Sequence, residues 1–215
     1  MDEAARSGLS STRRQFLVTS GAVIAASCAA RPRTPPSGPA AMAPTASRIG
    51  QIESSLGGRI GVFAFQPGHE ADLSHRADER FAMCSSFKWV LAAAVLAAAD
   101  RGSLALDQRV PITPSDLLGN SPVSRRRAGE GASTVVELAE AAVTVSDNTA
   151  ANLLLRLIGG PPGLTQFFRA LGDPVSRLDR DEPALNTNLP NDPQDTTSPR
   201  TNFVTAHLRL HISTV

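Results

Sequence analysis

The chain has 215 residues, with 21 Lys and Arg against 20 Asp and Glu, for a formal net charge of +1. That balance gives no argument for nucleic acid or a charged surface as partner, and the length allows one large domain or two small ones. With two cysteines, Cys28 and Cys84, and four scattered histidines, neither a disulfide framework nor a metal-ligand spacing is indicated. No metal or cofactor is expected.

Residues 1–30 read as a segment apart from the fold. Ser11-Thr12-Arg13-Arg14-Gln15-Phe16-Leu17 resembles the twin-arginine export signal, and the apolar run after it is too short to span a membrane. The expected destination is the periplasm or the cell exterior. Ala25-Ala26-Ser27-Cys28 weakly resembles a lipoprotein cleavage box with alanine in place of the usual leucine, so Cys28 either carries a lipid anchor or does not. Any membrane attachment would be through that anchor. Residues 31–46 hold five prolines among Ala, Ser and Thr and read as a disordered tether.

The fold is expected to start near Ser47, and residues 47–84 form its first part. Ile49, Ile52 and Leu56 fall at helical spacing, stopped by Gly57-Gly58. Residues 59–65 read as a strand, residues 66–68 as a turn and residues 70–75 as a returning strand. From Ser85 the character changes to helices and loops, up to about residue 199.

Residues 87–99 carry one charge, Lys88, and are otherwise apolar on every side. Such a helix belongs in the middle of a protein. Ser85 or Ser86 is expected to cap its start, and Gly102 to close its end. Ser85 and Lys88, three residues apart, share one face of the first turn. Lys88 is also the only lysine in the chain. Arginine cannot be deprotonated in a protein, whereas a buried lysine can, and a neutral amine can take the proton of a serine nucleophile.

Farther on, residues 112–122 look loop-like, and Ser133-Thr134 with Glu137 offers a cap for a helix running to Val145. Ser146-Asp147-Asn148 precedes an apolar stretch at residues 149–158, then a Gly-Pro-Pro-Gly break at residues 159–163. A short helix is expected over residues 164–171. Residues 177–195 are polar and contain Pro183 and Pro190, which suggests a compact Ω-type loop.

Ser85-x-x-Lys88, Ser146-Asp147-Asn148 and the run from Arg177 through Arg180, Glu182, Pro183 and Asn186 together resemble the class A β-lactamases over about residues 47–199. The resemblance implies a two-domain fold, one part α/β and one all-α, of the β-lactamase/transpeptidase type. Here it would comprise the first helix and hairpin of the sheet plus the helical catalytic domain. It implies a monomeric hydrolase acting on a β-lactam through a Ser85 acyl-enzyme. Either Lys88 directly or Glu182 through a water would take the serine proton. Glu182 would activate the deacylating water, with Asn186 and Asn152 orienting water and carboxylate. Ser146 would relay a proton to the departing nitrogen, Asn148 would bind the substrate amide, and the Ser85 N–H would form half of an oxyanion hole. Asp147 reads as structural, Arg180 and Asp195 as a pair closing the loop, and Glu182-Pro183 as a cis bond. Cys84 reads as a buried small hydrophobe.

Three departures from the family pattern stand out. Asn120, placed with the substrate-binding residues, stands where the family usually has an aromatic flanking the substrate, and Asp181 stands where a tryptophan is common. The family also continues well past residue 199 with a Lys-Thr-Gly strand, which a chain with one lysine cannot contain; Arg200-Thr201-Asn202 is a poor substitute. Residues 200–215 read as a foreign tail, from a frameshift or a premature end, and little or no turnover is expected of the chain as written. The alternatives are a penicillin-binding transpeptidase or carboxypeptidase, and an inactive non-enzymatic fragment.

Overall fold

The computed structural model describes residues 42–65 and 73–202. The export-type segment, most of the tether, Cys28, the turn at residues 66–68 and the tail beyond residue 202 lie outside them. Among the described residues no helix is long and apolar enough to cross a membrane.

The first helix, α1, runs Met42–Leu56 and so reaches back into the stretch read as tether. Its inward residue is not one of the apolar three but Glu53, buried to 8% exposure, while Ile52 and Leu56 are 50% and 72% exposed. Glu53 turns inward because donors meet it there. Ile60 N–H donates at 2.8 Å, Arg76 Nε at 2.7 Å and Arg76 Nη2 at 3.1 Å, with His75 Nε2 at 3.3 Å. These bonds tie α1 to a hairpin of β1 (Val62–Ala64) and β2 (Leu73–His75), in which Phe63 faces Ser74. Both strands are shorter than the sequence pattern suggests.

Arg76, then the Ile60 N–H, hold the Glu53 carboxyl down from 4.5 to about 2. A carboxyl depressed in the fold stabilises it above its unfolded value, and that contribution is lost as pH falls through the folded value. The α1–hairpin contact is therefore expected to loosen between about pH 4.5 and 2. Protection factors of the residue 60–64 amides, which take out the intrinsic pH dependence of exchange, should fall over that window in the native chain. In Glu53→Gln, exchange should be faster at neutral pH and show no such step.

The helical part is built around α2 (Phe87–Asp100), against which α4 (Val135–Thr144), α5 (Asn148–Leu157) and α6 (Gly160–Ala170) all pack. Phe87, Val90, Leu91 and Val95 are buried to 1% exposure or less, and they meet Leu138, Ala142, Leu154, Leu164 and Phe168 in one apolar cluster. The central placement expected of α2 holds, with Leu96 as its one large exposed apolar residue.

The capping serine does not. Neither Ser85 nor Ser86 caps α2 by its side chain, because a 3-10 turn at Cys84–Ser86 leads straight into the helix in helical backbone. The Ser86 hydroxyl instead donates back to the Met83 carbonyl at 2.6 Å. At the other end Gly102, at φ +72°, donates to Ala99 O while Ser103 donates to Ala98 O. This is the paired closure that a left-handed glycine makes cheap.

The region read as loop after α2 has more order. A two-stranded ladder joins β4 (Arg109–Pro111) to β5 (Ala132–Thr134), a 3-10 turn spans Pro114–Asp116, and α3 runs Pro122–Ala128. The cap on α4 is as expected from Thr134 and Glu137. Thr134 Oγ1 accepts from the Glu137 N–H at 3.3 Å, and a Glu137 carboxylate oxygen accepts from the Thr134 N–H at 2.9 Å.

Gly-Pro-Pro-Gly is not a break but the first turn of α6, entered through Gly159 at φ +91°. Proline is tolerated there because the first N–H groups of a helix have no partner within it. Gly163 lets that turn sit on the end of α5. A β-carbon on it would lie 1.9 Å from the Ile158 carbonyl oxygen.

Candidate active site

Ser85 lies in the 3-10 turn just ahead of α2, with Lys88 on the next turn pointing back at it. Lys88 is 2% exposed, and its Nζ donates to Ser85 Oγ at 3.1 Å. From the loop between α4 and α5 it also meets the Ser146 carbonyl at 3.0 Å, Ser146 Oγ at 2.9 Å and Asn148 Oδ1 at 2.5 Å. Glu182 Oε1 lies 3.0 Å from Nζ, and Glu182 is 3% exposed. An amine has at most three hydrogens for these five oxygens, so its bonding can be exchanged without moving it.

The loop at Ser146 is fixed by the residue after it. Asp147, 0% exposed, accepts from the N–H of Val123, the N–H and hydroxyl of Ser124, and the N–H of Ala150. It thereby anchors the first turns of both α3 and α5. The bonds of Asp147, expected to be structural, go to backbone N–H groups and the Ser124 hydroxyl. Ser146 itself takes φ +56°, which swings its hydroxyl toward Lys88.

Glu182 is presented by the polar loop at residues 177–195, which has one 3-10 turn at Ala184–Asn186. Asp195, 0% exposed, closes the loop. One of its carboxylate oxygens accepts from the N–H groups of Asp179 and Arg180 at 2.7 and 3.0 Å, and the other from Arg180 Nε at 2.5 Å. A short ladder then ties the loop to the nucleophile: β3 (Phe81–Ala82) pairs with β6 (Thr196–Thr197), and Met83 N–H donates to Asp195 O at 2.9 Å. The Glu182-Pro183 peptide is cis, as the resemblance implies.

Asn152 grips the backbone of Glu182 rather than its carboxylate. Its amide donates to Glu182 O at 2.8 Å and its Oδ1 accepts from Glu182 N–H at 2.9 Å. Asn186 Nδ2 holds carboxylate Oε2 at 2.8 Å. Oε1 faces Lys88 without the alignment of a hydrogen bond and has no other hydrogen-bond partner among the described residues. A buried carboxylate oxygen in that state has lone pairs available for a proton donor. The four residues expected to do chemistry, Ser85, Lys88, Ser146 and Glu182, thus converge on one amine.

One expectation changes, and one residue finds its place. Cys84 is exposed, not buried, since φ +43° turns it out of the chain's path; its Sγ lies 3.8 Å from Asn188 Nδ2. Asn120 is turned onto the Ser146 loop, its Nδ2 donating to Ser146 O at 2.9 Å. The pairing of β3 with β6 had no signal in the sequence, because two-residue strands carry no alternation. Among the described residues no group of His, Cys, Asp and Glu could hold a metal ion.

Residues 44–211 match the model of the beta-lactamase enzyme family. Among curated relatives, Beta-lactamase L2 of Stenotrophomonas maltophilia is 47% identical over 194 residues, which are 87% of this chain and 64% of that protein. The carbapenem-hydrolyzing beta-lactamase KPC of Klebsiella oxytoca is 48% identical over 155 residues, 72% of this chain and 53% of that protein. This chain therefore spans about half to two thirds of the length of such relatives. Among solved structures, a beta-lactamase from Desulfarculus baarsii is 48% identical with a TM-score of 0.73, covering 78% of this chain and 61% of that one. The ancestral class A beta-lactamase of Gram-negative bacteria is 49% identical with a TM-score of 0.70, covering 73% and 60%. The fold is that of the class A enzymes, an α/β part and an all-α part, represented here by α1, the β1–β2 hairpin and the helices around α2.

Proposed function

Since the chain belongs to the beta-lactamase enzyme family, we propose that it opens β-lactam rings through an acyl-enzyme on Ser85. The observation that carries the reading is the buried amine of Lys88 standing 3.1 Å from Ser85 Oγ and 3.0 Å from Glu182 Oε1. In the first step Ser85 Oγ bonds to the lactam carbonyl carbon and its proton passes to Lys88 or, through a water, to Glu182. The carbon–nitrogen bond breaks, and the nitrogen takes a proton from the Ser146 hydroxyl, which is replenished from Lys88 at 2.9 Å. In the second step Glu182, having passed any proton taken in the first step to Lys88 at 3.0 Å, takes a proton from the water that adds to the ester carbon. The bond from that carbon to Ser85 Oγ then breaks, and Oγ receives the proton held by Glu182 by way of Lys88 at 3.1 Å.

Glu182 is what favours hydrolysis over a stalled adduct. A transpeptidase or carboxypeptidase needs no carboxylate presented on this loop with an amide at Asn186, so that alternative is not favoured. The antibiotic would be met outside the cytoplasm, in keeping with the export-type segment at residues 1–30.

The test is intact-mass spectrometry of the purified chain after mixing with benzylpenicillin. The expected result is a gain equal to the whole antibiotic, located on the peptide bearing Ser85, which then decays slowly, in keeping with the low turnover expected from the sequence. A chain whose mass never changes at saturating penicillin would sink the proposal.

A further inference from the structure

Asn120 engages the Ser146 loop from both its main chain and its side chain. Its carbonyl accepts from the Asn148 N–H at 2.7 Å, and its Nδ2 donates to the Ser146 carbonyl at 2.9 Å. That carbonyl is the same one that accepts from Lys88 Nζ at 3.0 Å. Asn120 and Lys88 thus hold one oxygen from two sides. Ser146 keeps φ +56° between these anchors, a conformation unfavourable for a residue with a β-carbon and therefore in need of outside support.

We propose that Asn120 is a positioning residue, a clamp that holds the Ser146 bend so that its hydroxyl faces Lys88 and the departing nitrogen. This rests on the acylation chemistry proposed above and assigns to Asn120 a part in the first step alone. With Nδ2 turned onto the Ser146 carbonyl, the side chain acts here through the loop. The second step runs through Glu182, which is held by Asn152 and Asn186. The clamp does not touch them.

The donor can be removed without changing shape. Asn120→Asp turns Nδ2–H into an oxygen that repels the Ser146 carbonyl, and Asn120→Ala removes the group altogether. Formation of the Ser85 adduct with benzylpenicillin should slow about tenfold in Asn120→Asp and several-fold in Asn120→Ala. Decay of the adduct should be unchanged in both. Exchange of the Asn148 amide, measured by NMR without any ligand, should quicken about tenfold in Asn120→Asp. A merely structural part would slow both steps together and lower the melting temperature, and either result overturns the clamp. So does an unchanged rate of adduct formation. If the unsubstituted chain forms no adduct, the acylation reading itself has failed, and the Asn148 amide decides alone: faster exchange supports the clamp and equal exchange refutes it.

Discussion

Glu182→Gln is expected to trap the acyl-enzyme. The substitution keeps the volume and leaves an oxygen for the Asn186 amide, which now donates to Glu182 Oε2 at 2.8 Å, but it removes the proton acceptor facing Lys88. General-base assistance contributes typically 10²–10⁴-fold, so decay of the Ser85 adduct should slow by about that factor. Mass spectra taken after penicillin is removed should show the adduct persisting, where the unsubstituted chain clears it. An adduct that decays at the original rate would rule Glu182 out as the base. The same experiment separates the two acceptors of the first proton. If adduct formation also slows by orders of magnitude, Glu182 takes that proton through a water. If formation is nearly unchanged, the proton goes to Lys88. Lys88 keeps four other oxygen partners in the variant, from Ser85, Ser146 and Asn148, so its burial remains compensated.

The chemistry of the site was more legible in the sequence than its surroundings, and the reason is physical. Ser85 and Lys88 are bound by helical spacing, and a lone lysine in an arginine-using chain marks a position where a titratable amine matters. Thr134 with Glu137 announces a cap through side chains that serve the nearest backbone, so no distant partner was needed to read it. Cys84 failed on the same local ground: the apolar run around it says nothing of a φ of +43° that turns it outward. The face of α1 failed differently. Ile49, Ile52 and Leu56 mark a face by their spacing, but the residue buried on that side of the helix is Glu53, whose partners Ile60 and Arg76 come from other elements. The β3–β6 ladder, which carries the loop of Glu182 to the nucleophile, pairs two residues with two across a long separation in sequence. A periodicity cannot be seen in two residues.

Asp147→Ala is expected to have the largest effect on stability. One carboxylate, fully buried, serves the N-terminal turns of α3 and α5 together: Val123 and Ser124 on the first, Ala150 on the second. Its removal leaves two buried N–H groups, the half-buried Val123 N–H and the Ser124 hydroxyl without the acceptor they now have, and it frees the positive ends of two helix dipoles. The loss should be about 3–5 kcal/mol, comparable to breaking a buried charged network. For a domain of this size that corresponds to a fall in Tm of roughly 6–20 °C. Asp147→Asn does not rescue it, because each carboxylate oxygen now accepts two hydrogen bonds. An amide nitrogen in either place would face donors with a donor. Differential scanning calorimetry of the three proteins is the check, and a change in Tm under about 2 °C in Asp147→Ala would overturn the claim. If the fall is as expected, Ser146 is held by a residue that never touches a ligand. The geometry of the proton relay then depends in part on the same bonds that join α3 to α5, and loosening those bonds loosens the relay with them.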